Sequence, residues 1–196
     1  MWQNVLTDAR LWHLLPAIDR EIATDARTAG CPACGGPLHS ARYPRKPRGG
    51  PPAELAKEYS CRESLCCARK DCRRRMTPPS LRFFGRRVYL GAVVVLVSAM
   101  TGGVTAKRAR TMRDLVGVSI RTLNRWRAWW RESFPRTAFW KEARARFAPS
   151  VDAERLPAAL CERFAAGSPE DAGAASVRVL RFLAPITKPE ECLMAS

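Results

Sequence analysis

Cysteines are the feature that most narrows the possible folds of this chain. Six of its eight cysteines fall between residues 31 and 72, and the first pair reads Cys31-Pro-Ala-Cys34 with two glycines directly after it. Two thiolates three positions apart, followed by glycine, are typical of a turn whose backbone N–H groups face the sulfurs. Residues 1–10 lack a basic stretch followed by an apolar run, so we expect no secretory signal. Clustered thiols in a reducing compartment are more often metal ligands than disulfides or buried free thiols.

A tetrahedral zinc ion needs four ligands, which two cysteine-bearing turns joined by a β-hairpin can supply. The predicted ligands are Cys31, Cys34, Cys67 and Cys72. Cys66 is the alternative to Cys67, because adjacent residues on a strand point to opposite faces. Cys61 and His39 are weaker candidates. Four thiolates leave no open position for water, so we expect one structural zinc ion and no hydrolysis at the metal.

The rest of the sequence predicts a mostly helical α+β protein in four segments. These are an N-terminal helical segment (1–30), a zinc ribbon with a basic loop (31–80), a helix-turn-helix unit (81–135) and a helical tail (136–196). Short strands are expected near residues 38–43 and 57–66, on either side of a loop dense in Pro, Gly and Arg.

Several helices are predicted from capping and breaking residues. In the first, over residues 16–29, Pro16 would occupy the first turn and Asp19 its positive end. The others are expected over residues 86–100, from there to Val116, and over 119–133, 137–147, 153–166 and from Ser168 onwards. The apolar run at 88–100 is too short to cross a membrane, which takes about 20 residues, so it predicts a buried core helix.

The charge of the chain indicates its class of partner. Lys and Arg number 34 against 18 Asp and Glu, a net charge of +16. A protein this basic concentrates polyanions around itself, and phosphate backbones are the commonest such partner. We therefore expect a cytoplasmic, nucleoid-associated protein that binds nucleic acid, with neither a membrane nor a small-molecule substrate among its partners.

Residues 111–126 have the pattern of a helix-turn-helix. A first helix would end near Val116, Gly117 permits the left-handed turn, Val118 fills the angle between the helices and Ser119 caps the second helix. The apolar stripe of the second helix would be Leu123, Trp126 and Trp130.

The outer face of the second helix carries side chains that can read a major groove, since Arg pairs with guanine and Asn with adenine. The predicted DNA contacts are Ser119, Arg121, Thr122, Asn124, Arg125 and Arg127 on the second helix, Lys107, Arg108 and Arg110 on the first, and Arg45, Lys46 and Arg48 in the basic loop. The competing interpretation is a corner of two helices with a solvated basic face.

A Cys-Pro-x-Cys ribbon, an Arg-rich linker and a helix-turn-helix ending Arg-Thr-Leu-x-Arg-Trp resemble the DNA-binding portions of bacterial insertion-sequence proteins, both small accessory proteins and transposase N-terminal regions. The resemblance covers residues 31–131. It implies that the four predicted cysteines are ligands and that the second helix contacts DNA. Transposases of this type continue into a catalytic domain with three carboxylates on a sheet, whereas the residues after 135 predict helices, so we expect no enzyme activity.

These features together predict sequence-specific binding of double-stranded DNA, as a mobile-element accessory protein or a repressor. The helical tail would pack on the DNA-binding unit, bind a transposase or mediate self-association. The alternatives are an RNA-binding or ribosome-associated zinc-ribbon factor, and a module that binds an acidic protein.

Overall fold

The computed structural model describes residues 2–49, 55–85, 89–100, 110–111, 114, 116–166 and 171–188. Over these residues the protein is a mostly helical α+β structure with two small antiparallel sheets, which confirms the predicted fold class at this level. Two hydrophobic clusters organise it. A large cluster lies among the helices, and a small one lies between the cysteines and the larger sheet.

The N-terminal helices α1 (Trp2–Thr7) and α2 (Ala9–Ala29) precede the cysteines. The prediction that a helix starts at Pro16 is wrong, because Asp8 caps α2 by accepting a hydrogen bond from the Arg10 N–H and Pro16 lies inside the helix. Proline has no N–H to offer the carbonyl four residues earlier, that of Trp12. The Tyr59 hydroxyl donates to that carbonyl at 2.8 Å, so the lost helical bond is replaced from elsewhere in the chain.

Five short strands follow: β1 (Leu38–Ser40), β2 (Tyr43–Pro44), β3 (Cys61–Arg62), β4 (Leu65–Cys67) and β5 (Arg75–Met76). One sheet has the order β1-β4-β5 and is antiparallel, with Leu38 opposite Cys67 and Leu65 opposite Met76. The other pairs β2 with β3. Part of the predicted strand at 57–66 is instead the single-turn helix α3 (Ala56–Tyr59), which delivers the Tyr59 hydroxyl to α2.

A buried ion pair fixes the chain where it leaves the sheets. Asp19, predicted near the start of a helix, lies in the middle of α2 and is only 3% exposed. Its carboxylate accepts hydrogen bonds from the Ser80 hydroxyl (2.6 Å), the Leu81 N–H (2.7 Å) and Nε of Arg82 (2.7 Å). The Arg82 guanidinium also donates to the Glu58 carbonyl. One carboxylate thereby holds three successive residues of the connecting segment against α2.

Helix α4 (Gly91–Met100) is the centre of the large cluster. Residues 92–97 are fully buried, as expected for a helix that is apolar on every side. It contacts α1 and three later helices, so the expectation of a buried core helix is confirmed. The predicted start of this helix at residue 86 is not confirmed, because α4 begins at Gly91. Residues 86–88 lie outside the described part of the chain. No described helix has the length and apolarity needed to cross a membrane.

Among the described residues after 116, four further α-helices follow: α5 (Ile120–Ala128), α6 (Ala138–Ala143), α7 (Ala158–Ala165) and α8 (Ala172–Leu183). Thr137 caps α6 by accepting from the Trp140 N–H. The cap of α8 is Asp171, which accepts from the Ala174 N–H, and the predicted opening at Ser168 lies outside the described residues. Leu160 and Leu183 belong to the large cluster, so the C-terminal segment packs into the same core as α4.

We refer below to residues 31–76 as the cysteine region and to α1, α4–α8 and their connections as the helical body. Helix α2 belongs to both. Its residue Ala26 packs against the small cluster, whereas Leu11, Leu15 and Ile18 belong to the large one.

Candidate metal centre and basic helix

Four cysteine sulfurs meet at one point of the cysteine region. The Sγ atoms of Cys31, Cys34, Cys67 and Cys72 all lie within 4.8 Å of one another. Cys31 Sγ is 3.7 Å from Cys72 Sγ, and Cys34 Sγ is 3.5 Å from Cys67 Sγ. Zinc–sulfur bonds of about 2.3 Å in a tetrahedron place neighbouring sulfurs about 3.8 Å apart. The four thiols therefore have the spacing that a single tetrahedral metal ion requires.

The first pair lies on a tight turn at residues 31–36. The N–H groups of Cys34 and Gly35 both donate to the Cys31 carbonyl, at 3.3 and 2.8 Å, and the Cys31 N–H donates to the Gly36 carbonyl at 2.8 Å. Gly35 has φ +65°, in the left-handed region that glycine adopts without a steric penalty. The glycine after the second cysteine was the residue from which this turn was predicted.

The second pair lies on a matching turn at residues 67–74. The Cys67 N–H donates to the Arg74 carbonyl at 2.9 Å, as the Cys31 N–H does to Gly36. The N–H groups of Cys72 and Arg73 both donate to the Arg69 carbonyl, which takes the place of the Cys31 carbonyl. The residue after the last cysteine again has a positive φ, but here it is Arg73, at +45°. This turn is two residues longer, which is why its cysteines are five positions apart rather than three.

Strand pleating decides between the two adjacent cysteines. Cys67 is fully buried beside the other three sulfurs, whereas Cys66 is half-buried, and its sulfur lies 3.7 Å from the Arg73 carbonyl oxygen. Cys66, Cys61 and His39 are not part of the group of four. His39 lies opposite Cys66 on β1 and is exposed. The predicted set that contains Cys67 is therefore the one that the fold brings together.

The local backbone favours a thiolate at this point. The backbone N–H of Ala33, with smaller contributions from the Cys34 N–H and the neighbouring thiols, lowers the pKa of Cys31 to about 7. Cys72 has a raised pKa: the Arg74 N–H lowers it, but the nearby Cys34 thiol and burial outweigh that effect. Four adjacent thiols ionise together only with a cation between them, so the donor set fits a metal that binds thiolates.

The second feature of interest is α5 and the turn before it. Gly117 has φ +66°, Val118 is fully buried, and the Ser119 side chain accepts from the Thr122 N–H, all as predicted. The Gly117 carbonyl accepts a hydrogen bond from the Tyr89 hydroxyl at 3.2 Å, and the Tyr89 ring packs edge-on against Trp126 at 5.1 Å. Tyr89, two residues before the start of α4, therefore fixes the entrance of α5.

One face of α5 is built into the core. Leu123, Trp126 and Trp130 are 0%, 3% and 0% exposed, which confirms the predicted apolar stripe. After Ala128 the helix widens into a π-helix (Trp129–Ser133), so the α- and π-helical run ends at the predicted residue 133, and a 3-10 helix (Phe134–Arg136) that contains Pro135 follows. In this arrangement both Trp129 and Trp130 pack against Phe84.

The other face of α5 is polar and exposed. Ile120, Arg121, Asn124 and Arg125 are exposed, and Arg127 is half-buried. Thr122, predicted on this face, is only 7% exposed. Its hydroxyl lies 3.1 Å from the Ser119 hydroxyl, so it completes the cap instead of facing outwards.

The predicted contacts outside α5 divide into three groups. Lys46 and Arg48 in the basic loop are exposed, as is Arg110 before α5. Arg45 is a correction: it is half-buried, donates to the Gly85 carbonyl at 3.4 Å and lies over the Phe83 ring at 5.4 Å, because an aromatic face and a carbonyl attract the guanidinium inwards. Lys107 and Arg108 lie outside the described residues.

Sequence reasoning gave no role to the basic residues of the second cysteine turn. Arg69, Lys70, Arg73, Arg74 and Arg75 are all exposed. The density of basic residues between Cys67 and Thr77 is the sequence feature that indicates a positively charged surface at this turn.

Comparisons with protein-family models, with curated protein sequences and with solved structures find no match to this chain. The resemblance to insertion-sequence proteins therefore stays a prediction. Function has to be argued from the two sites themselves.

Proposed function

We propose that this protein binds double-stranded DNA in a sequence-dependent manner through a helix-turn-helix whose second helix is α5. The observation that carries the proposal is the exposed face of α5, where Arg121, Asn124 and Arg125 lie side by side with the apolar Ile120, which is 49% exposed. Residues at these spacings share one side of a helix. A solvated face has no need for a large exposed apolar side chain among its arginines.

Each of these side chains matches a feature of the major groove. Arg can donate two hydrogen bonds to guanine, Asn can pair with adenine in both directions, and an apolar side chain suits the methyl group of thymine. A helix with its side chains is about 10–12 Å across, and the groove is about 12 Å wide. Within the described part of the chain, the hydrogen-bond partner of the Arg125 guanidinium is the Thr122 hydroxyl at 3.5 Å, which leaves most of its donors for a base.

The opposite face of α5 supports the proposal because it makes the helix rigid. Contacts to bases discriminate between sequences only when the reading side chains are held in place. The buried stripe, the Ser119 cap and the Tyr89 hydroxyl fix the rotation and the entrance of α5 before any DNA is bound.

We further propose that the four cysteines hold one structural zinc ion and that the cysteine region is a zinc ribbon. Support comes from the sulfur spacing and from the two matching turns. With all four positions taken by thiolates, the ion has no place for a substrate, so the proposed role is DNA recognition, as a mobile-element accessory protein or a repressor, and not catalysis.

Selection from random duplexes, followed by binding assays, tests the DNA proposal. Arg121→Ala and Asn124→Ala should each weaken binding to the selected site by about 1–3 kcal/mol and change binding to an unrelated duplex much less. Arg146→Gln serves as the control, since Arg146 is exposed on a 3-10 helix far along the chain. Equal losses on both duplexes would reject base reading by α5, and a structured RNA that outcompetes the selected duplex would favour an RNA partner.

A further inference from the structure

The second cysteine turn carries an unusual concentration of positive charge. Five of the residues between Cys67 and Met76 are basic and exposed, and the one acidic residue among them is Asp71. The basic residues are Arg69, Lys70, Arg73, Arg74 and Arg75. Like charges this close repel one another, so the cluster opposes the folding of the turn unless an anion meets it.

Within the described part of the chain, none of these five side chains forms an ion pair or a hydrogen bond with another residue. Other arginines around the cysteine region are used inside the fold. The partnered ones are Arg20 with Glu58 (3.3 Å), Arg42 with Glu63 (3.0 Å), Arg82 with Asp19 (2.7 Å) and Arg62 with the Thr187 carbonyl (2.8 Å). These five therefore differ from the neighbouring arginines, because no ion pair or hydrogen bond within the described residues involves their charged groups.

Arg73 gives an independent indication. The backbone at this position is left-handed, with φ +45°, and the equivalent residue of the first turn is Gly35, with φ +65°. Left-handed backbone costs a residue with a Cβ about 1–2 kcal/mol, which glycine avoids. A turn selected only to hold a metal would take glycine here, as the first turn does. Among the described residues the Arg73 guanidinium has no hydrogen bond or ion pair, so the strained backbone beneath an exposed charge points to a partner outside the chain.

The turn also holds these charges in fixed positions. Cys67 and Cys72 tie both ends of the turn to the four-sulfur group, and the Arg74 carbonyl is bonded to the Cys67 N–H. The Arg69 side-chain stem crosses the first turn so closely that a Cβ on Gly36 would lie 2.9 Å from it. The two cysteines of the turn thus fix the backbone that carries the five basic side chains.

We propose that the second cysteine turn is a second DNA-binding surface, which grips the sugar-phosphate backbone of the duplex that α5 reads. This inference rests on the proposed function. The turn supplies affinity without regard to sequence, because phosphates are the same at every base pair, and α5 supplies the sequence preference. The grip depends on the metal, since the turn is ordered by the same thiolates.

The test compares two double variants of the full-length protein that each remove two exposed arginines. Arg73→Gly with Arg74→Gln alters the turn, and Arg144→Gln with Arg146→Gln alters the 3-10 helix of the helical body. Binding to the selected duplex and to an unrelated one is measured over a range of salt concentrations. The turn variant should lose on the order of tenfold in affinity for both duplexes and flatten the plot of log K against log salt by about 1.8, since each lost phosphate contact removes about 0.9. The control should lose far less in both measurements.

Arg73→Gly alone separates a binding role from a structural one. It should leave the bound metal unchanged and keep or raise the thermal midpoint, by about 2–4 °C, because glycine relieves the left-handed strain. Its affinity for duplex DNA should nevertheless fall. A lower midpoint with unchanged affinity would overturn the proposal, as would a turn double variant that matches the control.

The pattern of results also separates this inference from the proposed function. If the α5 variants bind like the wild type while the turn variant loses affinity, base reading by α5 fails and the phosphate grip stands. If only the α5 variants lose affinity, the grip fails and base reading stands. A structured RNA that competes better than duplex DNA for the wild type, but not for the turn variant, would overturn duplex DNA as the occupant.

Discussion

The cysteine region and the helical body reach order by different means. Among the described residues, the small hydrophobic cluster of the cysteine region has four buried members, two of them metal-ligand candidates: Cys31, Leu38, Leu65 and Cys67. The helical body buries residues 91–98 of α4, and its hydrophobic cluster also contains the aromatic side chains of Trp126, Trp130, Phe134 and Trp140. So few apolar side chains rarely support a fold without a metal or disulfide, whereas the helical body has a core of ordinary size.

The thiols of the two regions show the same contrast. The Ala33 N–H lowers the pKa of Cys31 to about 7, while burial raises the pKa of Cys161 in α7 to about 12. A thiol surrounded by N–H groups and other sulfurs is prepared to become a ligand. A thiol enclosed among apolar side chains stays protonated and acts as a small core residue.

Removing the metal ion proposed for the four cysteines tests the difference between the two regions most severely. We expect a chelator, or Cys67→Ser, to abolish hydrogen-exchange protection in β1, β4 and β5 and to change the helical circular dichroism little. The reason is that metal binding supplies most of the folding free energy of small thiolate sites, about 10–16 kcal/mol in zinc-finger peptides. Exchange is followed by mass spectrometry, with metal content measured on the same samples.

Cys66→Ser is the matched control for this experiment. Cys66 is the neighbour of Cys67 on β4 but lies outside the four-sulfur group. It should retain the metal and the protection of the sheet. Metal-free protein that keeps full protection in β1 would contradict the view that the cysteine region depends on its ion.

The buried ion pair of Asp19 and Arg82 connects the two regions, and its loss should have the next largest effect on stability. Asp19→Asn removes the charge that compensates Arg82, which is only 4% exposed, and should lower the free energy of unfolding by about 3–5 kcal/mol. Urea unfolding at pH 7 measures the change as a shifted midpoint at constant m. Asp25→Asn, on an exposed position of α2, should have almost no effect. A loss below about 1 kcal/mol for Asp19→Asn would show that the two regions are not held together by this ion pair.

The features that the sequence predicts correctly are those determined by residues close together in the chain. The two cysteine turns, the Gly117 turn and the Ser119 cap depend on residues within a few positions of one another, and each was predicted correctly. The amphipathic stripe of α5 has the same local character, because helical periodicity alone places Leu123 and Trp126 on one side.

Several of the failures involve a partner far away in the chain. Asp19 looked like a helix-start residue because its partner Arg82 is 63 positions later. Arg45 looked like an exposed loop cation because Phe83 and Gly85, which draw it inwards, are on another segment. Pro16 looked like a helix start because no local pattern shows a tyrosine hydroxyl that replaces a missing N–H.

The hydrogen bond from the Tyr59 hydroxyl to the Trp12 carbonyl should contribute least to stability, but it tests most specifically how α2 tolerates Pro16. Tyr59→Phe leaves the Trp12 carbonyl buried without a donor, which should cost about 1–3 kcal/mol in urea unfolding. In a Pro16→Ala background the new N–H of residue 16 can donate to the same carbonyl, so Tyr59→Phe should cost clearly less there. Tyr89→Phe, which removes a hydroxyl from the Gly117 carbonyl, should cost the same in both backgrounds. An equal cost of Tyr59→Phe with and without Pro16 would mean that the hydroxyl does not substitute for the absent helical bond.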